Sequence, residues 1–461
     1  MKLTIPRIVI AGISGDSGKT FVSCGVLNTL KNKGLSVIPF KKGPDYIDSE
    51  WLTTASGIAA RNLDTFLFDR EKNYEIFCKY AFGKDIAIIE GNRGLYDGFD
   101  ELGTHSTAEL AKLLKAPVIV SLTINKITRT AAAIIYGLKH FDHEVEIKGV
   151  ILNQTAGNRQ TDLISKVIED TCGIPVIGAI PKLKNKDLLP SRHLGLVTPL
   201  EHNTAIKAVE EAGKAIEDYV DVQKLIDIAK TTPDLDFEYK SVNFNTEKSC
   251  KIGVFVDKAF SFYYAENLEA LIEKGAEIIE ISSIDDKTLP DCNAVYIGGG
   301  FPETNIREIY HNKDLMRSLK IAAENGLPIY AECGGLIYLC KDIELNEDIF
   351  ELSGIFPVGI KMSKKPAGHG YSTSLVQKHN PFYPIGLQIK GHEFHYASIS
   401  KQYGEIEMCL EMTRGNGAVN GWDGLFYKNV FATWQHTHSQ GLPEWSDAMI
   451  RLAITNKNIL S

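Results

Sequence analysis

Arg7–Thr20 reads RIVIAGISGDSGKT. Arg7–Ala11 is a short apolar run suited to a buried parallel strand. Gly12-Ile13-Ser14-Gly15-Asp16-Ser17-Gly18-Lys19-Thr20 follows, and a helical pattern then runs to Leu30. Strand, glycine-rich loop, Gly-Lys-Thr and helix together form a phosphate cradle, in which backbone N–H groups wrap the phosphates. Lys19 is placed to neutralise the β and γ oxygens, and the Thr20 hydroxyl to hold Mg²⁺. Gly12, Gly15 and Gly18 are the candidate backbone contacts to the phosphates. Five residues, not the common four, separate Gly12 from Gly18.

Working outward, the apolar runs alternate with helical patterns. Leu35–Phe40 is a strand ending in Lys41-Lys42-Gly43-Pro44-Asp45-Tyr46-Ile47-Asp48, whose lysines and aspartates offer anion and metal contacts where open α/β sheets bind ligands. Ile86–Glu90 is a buried strand ending on an acid, followed by Gly91-Asn92-Arg93-Gly94-Leu95-Tyr96-Asp97-Gly98. In a phosphate-loop domain that acid, Glu90, is the candidate for magnesium or its water. Ser106–Leu114 reads as helix, Pro117–Leu122, Lys148–Asn153 and Pro175–Ile180 as strands, and Ala205–Ala229 as helices. The expectation is a doubly wound, mostly parallel α/β sheet. Leu188–Leu196 is a turn with a basic pair, either solvated or a contact for an anionic substrate. Thr231–Lys248 is polar without a period and reads as a linker, giving domains 1–230 and 249–461.

The totals set the frame. A chain of 461 residues is too long for one core. A formal charge of −8 argues against a nucleic-acid surface. Eight scattered cysteines without CxxC suit a reducing cytoplasm and indicate neither a zinc ribbon nor a dithiol motif. The run after Lys2 is broken by Pro6 and Arg7, unlike a signal peptide, and no stretch of about 18 apolar residues predicts a membrane span.

The second half opens on Lys251–Val256, an apolar strand followed by the aromatic cluster Phe260–Tyr264. Ala294–Ile297 is a strand leading to Gly298-Gly299-Gly300. Three successive glycines are costly in chain entropy, and make sense where main-chain N–H groups face a developing oxyanion. Leu327–Leu339, LPIYAECGGLIYL, passes from strand through a sharp turn to helix with Cys333 at the turn. That arrangement presents a nucleophile, and a helix N-terminus favours its thiolate. A packing cysteine is the bland alternative. Val430–Trp434 then leads to Gln435-His436-Thr437-His438, where His436 is a candidate base. Gly391-His392-Glu393-Phe394-His395 concentrates more imidazole and carboxylate. A metal centre among these groups is the alternative, but the i, i+4 spacing of helical zinc motifs is missing.

The longer phosphate loop resembles the dethiobiotin-synthetase-like branch of phosphate-loop enzymes. The order KKGPDYID, EGNRGLYDG, STAELAKLL, GVILN, AFSFYYAENL, GGGFPE, AECGG, GHEFHY and HTH resembles the cobyrinate a,c-diamide synthase family over about residues 7–445. The resemblance implies two doubly wound α/β domains, an N-terminal ATP-dependent synthetase and a C-terminal class I glutamine amidotransferase. It implies that Cys333 attacks glutamine with His436 as base, and that Gly300 and Gly334 donate to the oxyanion. Ammonia then passes internally to an acyl phosphate made from ATP. Glu90 and Asp45 would join Thr20 at Mg²⁺, and Tyr46, Ile47, Asp48 and Asp97 would lie near the substrate or the transferring phosphate. The orienting residue common in class I enzymes, the Glu of His-x-Glu, is replaced by His438, and His438 or Glu393 could orient the base. The motifs do not choose the macrocycle, so Ni-sirohydrochlorin and sirohaem stand beside cobyrinate as tetrapyrrole substrates. KGPDYID argues against a cobyric acid synthase. A phosphate-loop switch ATPase would need no nucleophile, and a tetrapyrrole carrier would leave the phosphate loop unexplained. Oligomeric state is left open.

Overall fold

The computed structural model describes residues 2–15, 17–183, 189, 191–192, 195–202, 204–237 and 248–460. The chain divides into two compact units, residues 1–240 and 241–461. In the first, strands β1 (Arg7–Gly12), β2 (Val37–Lys42), β3 (Arg61–Leu63), β4 (Ile86–Gly94), β5 (Val118–Thr123), β6 (Ile147–Thr155) and β7 (Val176–Pro181) form one sheet in the order β3-β2-β4-β1-β5-β6-β7. All six pairings are parallel. Every residue of β1 and β2 is buried, because helices cover both faces and the strands need no polar side. Helix α1 (Lys19–Asn32) follows β1, and α2 (Tyr46–Ser56) follows β2. Against α1 packs the helix Ala205–Tyr219, close enough that a Cβ on Gly25 would meet the Ala212 carbonyl oxygen at 2.6 Å. Thr29 Oγ1 donates to Gly213 O at 2.9 Å across that contact.

The expected linker begins later than its polar composition suggests. Leu235–Asp236 pairs antiparallel with Lys2–Leu3, and Leu235 is buried. The guanidinium of Arg7, itself fully buried, donates to the carbonyls of Ile5, Leu114 and Pro233. Residues 231–236 therefore belong to the first unit. Of the expected linker, residues 238–247 lie outside the described residues, as do 188, 190, 193 and 194 of the basic turn.

In the second unit, β8 (Cys250–Phe255), β9 (Ala276–Ile281), β10 (Ala294–Ile297), β11 (Ile329–Glu332), β12 (Gly368–Val376), β13 (Gln388–His395), β14 (Glu407–Arg414), β15 (Trp422–Tyr427) and β16 (Val430–Thr433) form a sheet ordered β9-β8-β10-β11-β16-β15-β14-β12-β13. It is parallel from β9 to β16 and antiparallel beyond. Only its first part is wound as the sequence reading expects. Two residues join β15 to β16, too few for a crossover, so a hairpin forms. A second, four-stranded sheet contains Cys340–Leu345 and Phe356–Met362. No helix among the described residues is long and apolar enough to cross a membrane.

Candidate functional site

The parallel pairing of β11 with β16 brings two distant segments to one sheet edge. Ala331 lies opposite Ala432 and Glu332 opposite Thr433, and Cys333 N donates to Thr433 O at 2.8 Å. Cys333 stands at φ 47°, ψ −99°, between β11 and the short helix α3 (Gly334–Leu339). A side-chain-bearing residue held there costs on the order of 1–3 kcal/mol, and such strain clusters where a reacting atom must be presented. The thiol is buried. Burial first, and then the carboxylate of Glu303, push it well above the ordinary cysteine range, although the Gly334 N–H opposes this. Cys333 therefore rests as a thiol and needs a base at the moment of attack.

The glycine loop after β10 closes on this turn. A Cβ on Gly334 would lie 3.0 Å from Gly300 N, so the two expected oxyanion residues sit side by side. Gly300 has φ 151°, and a Cβ there would meet the Ala259 carbonyl oxygen at 2.1 Å. Gly335 N donates to Gly298 O, while Gly298 N donates to the Tyr263 hydroxyl. The aromatic cluster thus pins the loop as well as filling the core. A Cβ on Gly299 would stand 2.4 Å from His436 Cε1. Gly299→Ala should displace the imidazole and lower glutamine-dependent turnover by about 10²-fold, the effect of a ~1 Å misplacement. Amidation with added ammonia should stay at the parental rate, and parallel assays with the two nitrogen donors check this.

His436 is buried and stacked on His392 at 4.8 Å with 16° between rings. Its Nδ1 lies 3.7 Å from Glu332 Oε2. His438 faces elsewhere: its Nδ1 accepts from Gln440 N, and its Nε2 lies 3.7 Å from Glu266 Oε2. Glu393 accepts from the backbone N–H groups of Asn416 and Gly417. Glu393 also interacts electrostatically with His436. Burial holds His392 well below the usual histidine range and brings His395 down to about 4. His395 stacks on Trp434 and shares a hydrogen bond with Ala397 O through Nδ1. Glu332, which the sequence reading passed over, adjoins the candidate nucleophile. A charged residue ending an otherwise apolar strand was its one visible signal.

The first unit assembles a second site at the C-terminal ends of β1, β2 and β4. The phosphate loop is tightly made: a Cβ on Gly12 would meet Ser17 Oγ at 1.9 Å, and one on Gly18, at φ 75°, would meet Asn153 Nδ2 at 2.0 Å. Nothing lies within 4 Å of the corresponding position on Gly15. Lys19 Nζ donates to Ser14 O and Ser17 Oγ, curled over its own loop. Thr20 Oγ1 donates to Glu90 Oε1 at 2.9 Å. The same oxygen accepts from Lys41 Nζ at 2.7 Å, and Lys41 also pairs with Asp48. Against the cost of burial, Asp48 and Glu90 hold the Lys41 ammonium above its usual range. Glu90 Oε2 is buried with no hydrogen-bond partner.

That bare carboxylate oxygen beside the Thr20 hydroxyl suits a hard cation, whose remaining positions phosphate and water would fill. Asp45 Oδ1 accepts from Asp48 N as the N-cap of α2. Burial, then Asp48, push its carboxyl up to about 7. Asp97 Oδ2 accepts from Gly94 N, bracing the loop after β4. Tyr46 and Ile47 are buried on α2, and Asp48 is tied to Lys41. The sequence reading placed Lys41 just after a strand as an anion contact; the structure puts it in β2, paired with Asp48 and Glu90.

The two units define a nucleotide-binding domain followed by a glutamine amidotransferase domain. Family models agree: residues 8–197 match the CobQ/CobB/MinD/ParA nucleotide binding domain, and residues 251–442 the CobB/CobQ-like glutamine amidotransferase domain. The chain is 39% identical to the cobyrinate a,c-diamide synthase of Magnetococcus marinus, across 98% of each chain. It is 40% identical to that of Archaeoglobus fulgidus over 95% of each, and 38% to that of Dehalococcoides mccartyi over 98% of this chain and 99% of that one. The chain belongs to the cobyrinate a,c-diamide synthase family, and is an amidating ligase that uses glutamine.

Proposed function

We propose that the protein amidates the a and c acetate carboxylates of cobyrinate, using ATP and glutamine. The observation that supports this most is the pairing, in one family-typical chain, of a strained Cys333, on a strand that pairs with the strand leading to His436, with a phosphate loop facing Glu90 and Lys41. Cys333 Sγ attacks the glutamine amide carbon as its proton passes to His436. Gly300 and Gly334 N–H groups receive the oxyanion. The imidazolium protonates the leaving nitrogen, and water releases glutamate from the thioester.

In the first unit a substrate carboxylate takes the γ-phosphoryl group of ATP, since a carboxylate oxygen leaves poorly until phosphorylated. Ammonia then attacks the acyl carbon, phosphate leaves and the amide remains. Lys19 and the loop N–H groups hold the phosphates, and Lys41 fixes Glu90 and Asp48. Mg²⁺, held by Thr20 and Glu90, would neutralise phosphate charge. Asp45 and Asp97 act through the backbone they brace, shaping the substrate loops around Tyr46, Ile47 and Asp48.

Ni-sirohydrochlorin carries similar carboxylates and would use the same two sites, so the assay offers both macrocycles in parallel with ATP and glutamine. Product masses should show two carboxyl-to-amide exchanges on cobyrinate and none on Ni-sirohydrochlorin. Exchange on the nickel macrocycle alone would reassign the substrate.

A further inference from the structure

The carboxylate of Glu332 is fully buried, one residue before the nucleophile. Three donors fix it. Thr437 N and Thr437 Oγ1 donate to Oε1 at 3.1 and 2.9 Å, and the Tyr296 hydroxyl donates to Oε2 at 3.2 Å. Oε2 lies 3.7 Å from His436 Nδ1. Thr437 is itself held, its carbonyl accepting from Asn267 Nδ2 and its hydroxyl lying 3.4 Å from the Tyr330 hydroxyl. Thr437, next to His436, thus ties the carboxylate to the segment that carries the imidazole. A carboxylate bound only by neutral donors in a dry site gains most when a cation appears beside it.

We infer that Glu332 is the positioning residue of the Cys333–His436 pair, occupying the role that His-x-Glu assigns to the position of His438. This rests on the glutaminase reading given above. When Sγ attacks, its proton moves to His436 Nε2, and the resulting imidazolium presents its Nδ1–H to Glu332. The carboxylate keeps its charge and takes no proton. It fixes the tautomer with Nδ1 protonated, so that Nε2 is the basic nitrogen. Other ionisable groups that interact electrostatically with the imidazole are His392, Glu393 and His395 on β13. His438, two residues on, addresses Glu266. His392 and His395 are held neutral by burial, and Glu393 is bound to backbone N–H groups. The loss of Glu332, whose Oε2 lies 3.7 Å from Nδ1, should register on His436.

The test uses the full-length enzyme and compares Glu332→Gln, Glu332→Asp and Tyr296→Phe with Cys333→Ala. Glu332→Gln should lower glutaminase kcat at least tenfold with KM for glutamine within about twofold. The acid limb of its pH–rate profile should move to lower pH, because the neighbouring negative charge that favours the imidazolium is gone. Glu332→Asp should recover part of kcat. Tyr296→Phe, which frees one carboxylate oxygen and leaves the charge, should move kcat less and keep the acid limb. Ammonia-dependent amidation should be parental in all three. Parental glutaminase in Glu332→Gln overturns the inference, as does a loss with an unmoved acid limb. Should Glu332→Gln not fold, the Glu332→Asp and Tyr296→Phe profiles decide: parental kcat in both overturns the inference. Full glutaminase in Cys333→Ala would instead overturn the underlying reading.

Discussion

Cys333→Ala should remove glutamine-dependent amidation by ~10³-fold or more, since no other group supplies the nucleophile, while amidation with added ammonia continues at the parental rate. The expectation follows from where the residue sits. Cys333 belongs to the second unit, and its strained turn is held by Thr433 and the Gly298–Gly300 loop. The phosphate loop, Thr20, Lys41 and Glu90 belong to the first. Alanine keeps the Cβ and the backbone geometry, so the turn should persist and the melting temperature should change little. Assays with glutamine and with ammonium salt, on a variant shown to be folded, check this. Loss of both activities in a folded variant would mean that ammonia is not the species exchanged between the two half-reactions.

What made this turn legible is that its determinants are local. An apolar run, a Cys-Gly-Gly and a resumed apolar run specify strand, turn and helix within 13 residues. The phosphate loop was legible for the same reason. The partners of the turn were harder because they come from the sheet order. His436 could be named from its place after a strand, but Glu332 needed the knowledge that β11 lies against β16 and that Thr437 turns back onto it. His438, one of two candidates for the orienting group, fills the familiar position, and the geometry places its Nε2 beside Glu266. Asp45 illustrates the converse. Beside Lys41 and Asp48 it read as a metal ligand, yet an acid three residues before another at a helix start is also a cap, and one of its oxygens serves as that cap. The short strand at Leu235–Asp236 was not legible because two residues carry no period and its partner is at the other end of the unit.

Lys41→Met should have the larger structural effect. Lys41 is fully buried between two carboxylates, 2.7 Å from Glu90 and paired with Asp48. Its removal leaves Asp48 and Glu90 facing one another without a cation in a dry site. Breaking a buried ion pair from one side costs about 3–5 kcal/mol, because the remaining charge has lost both water and partner. For a unit of this size that corresponds to a fall in melting temperature of roughly 6–20 °C. Catalysis should suffer in a way that separates this site from Cys333. Thr20 and Glu90 share the network, so amidation with ammonia should fall together with amidation from glutamine, by about 10²-fold or more. Glutamine hydrolysis at Cys333, measured as glutamate release without ATP, draws on none of these residues and should survive in folded protein. The triple variant Lys41→Met, Asp48→Asn, Glu90→Gln removes the stranded charges as well. It should regain part of the lost melting temperature while staying inactive in amidation, since the cation-binding carboxylate is gone. If the triple variant melts no higher than Lys41→Met, the cost lies in lost packing of the lysine stem rather than in the uncompensated carboxylates, and the electrostatic account of this cluster fails.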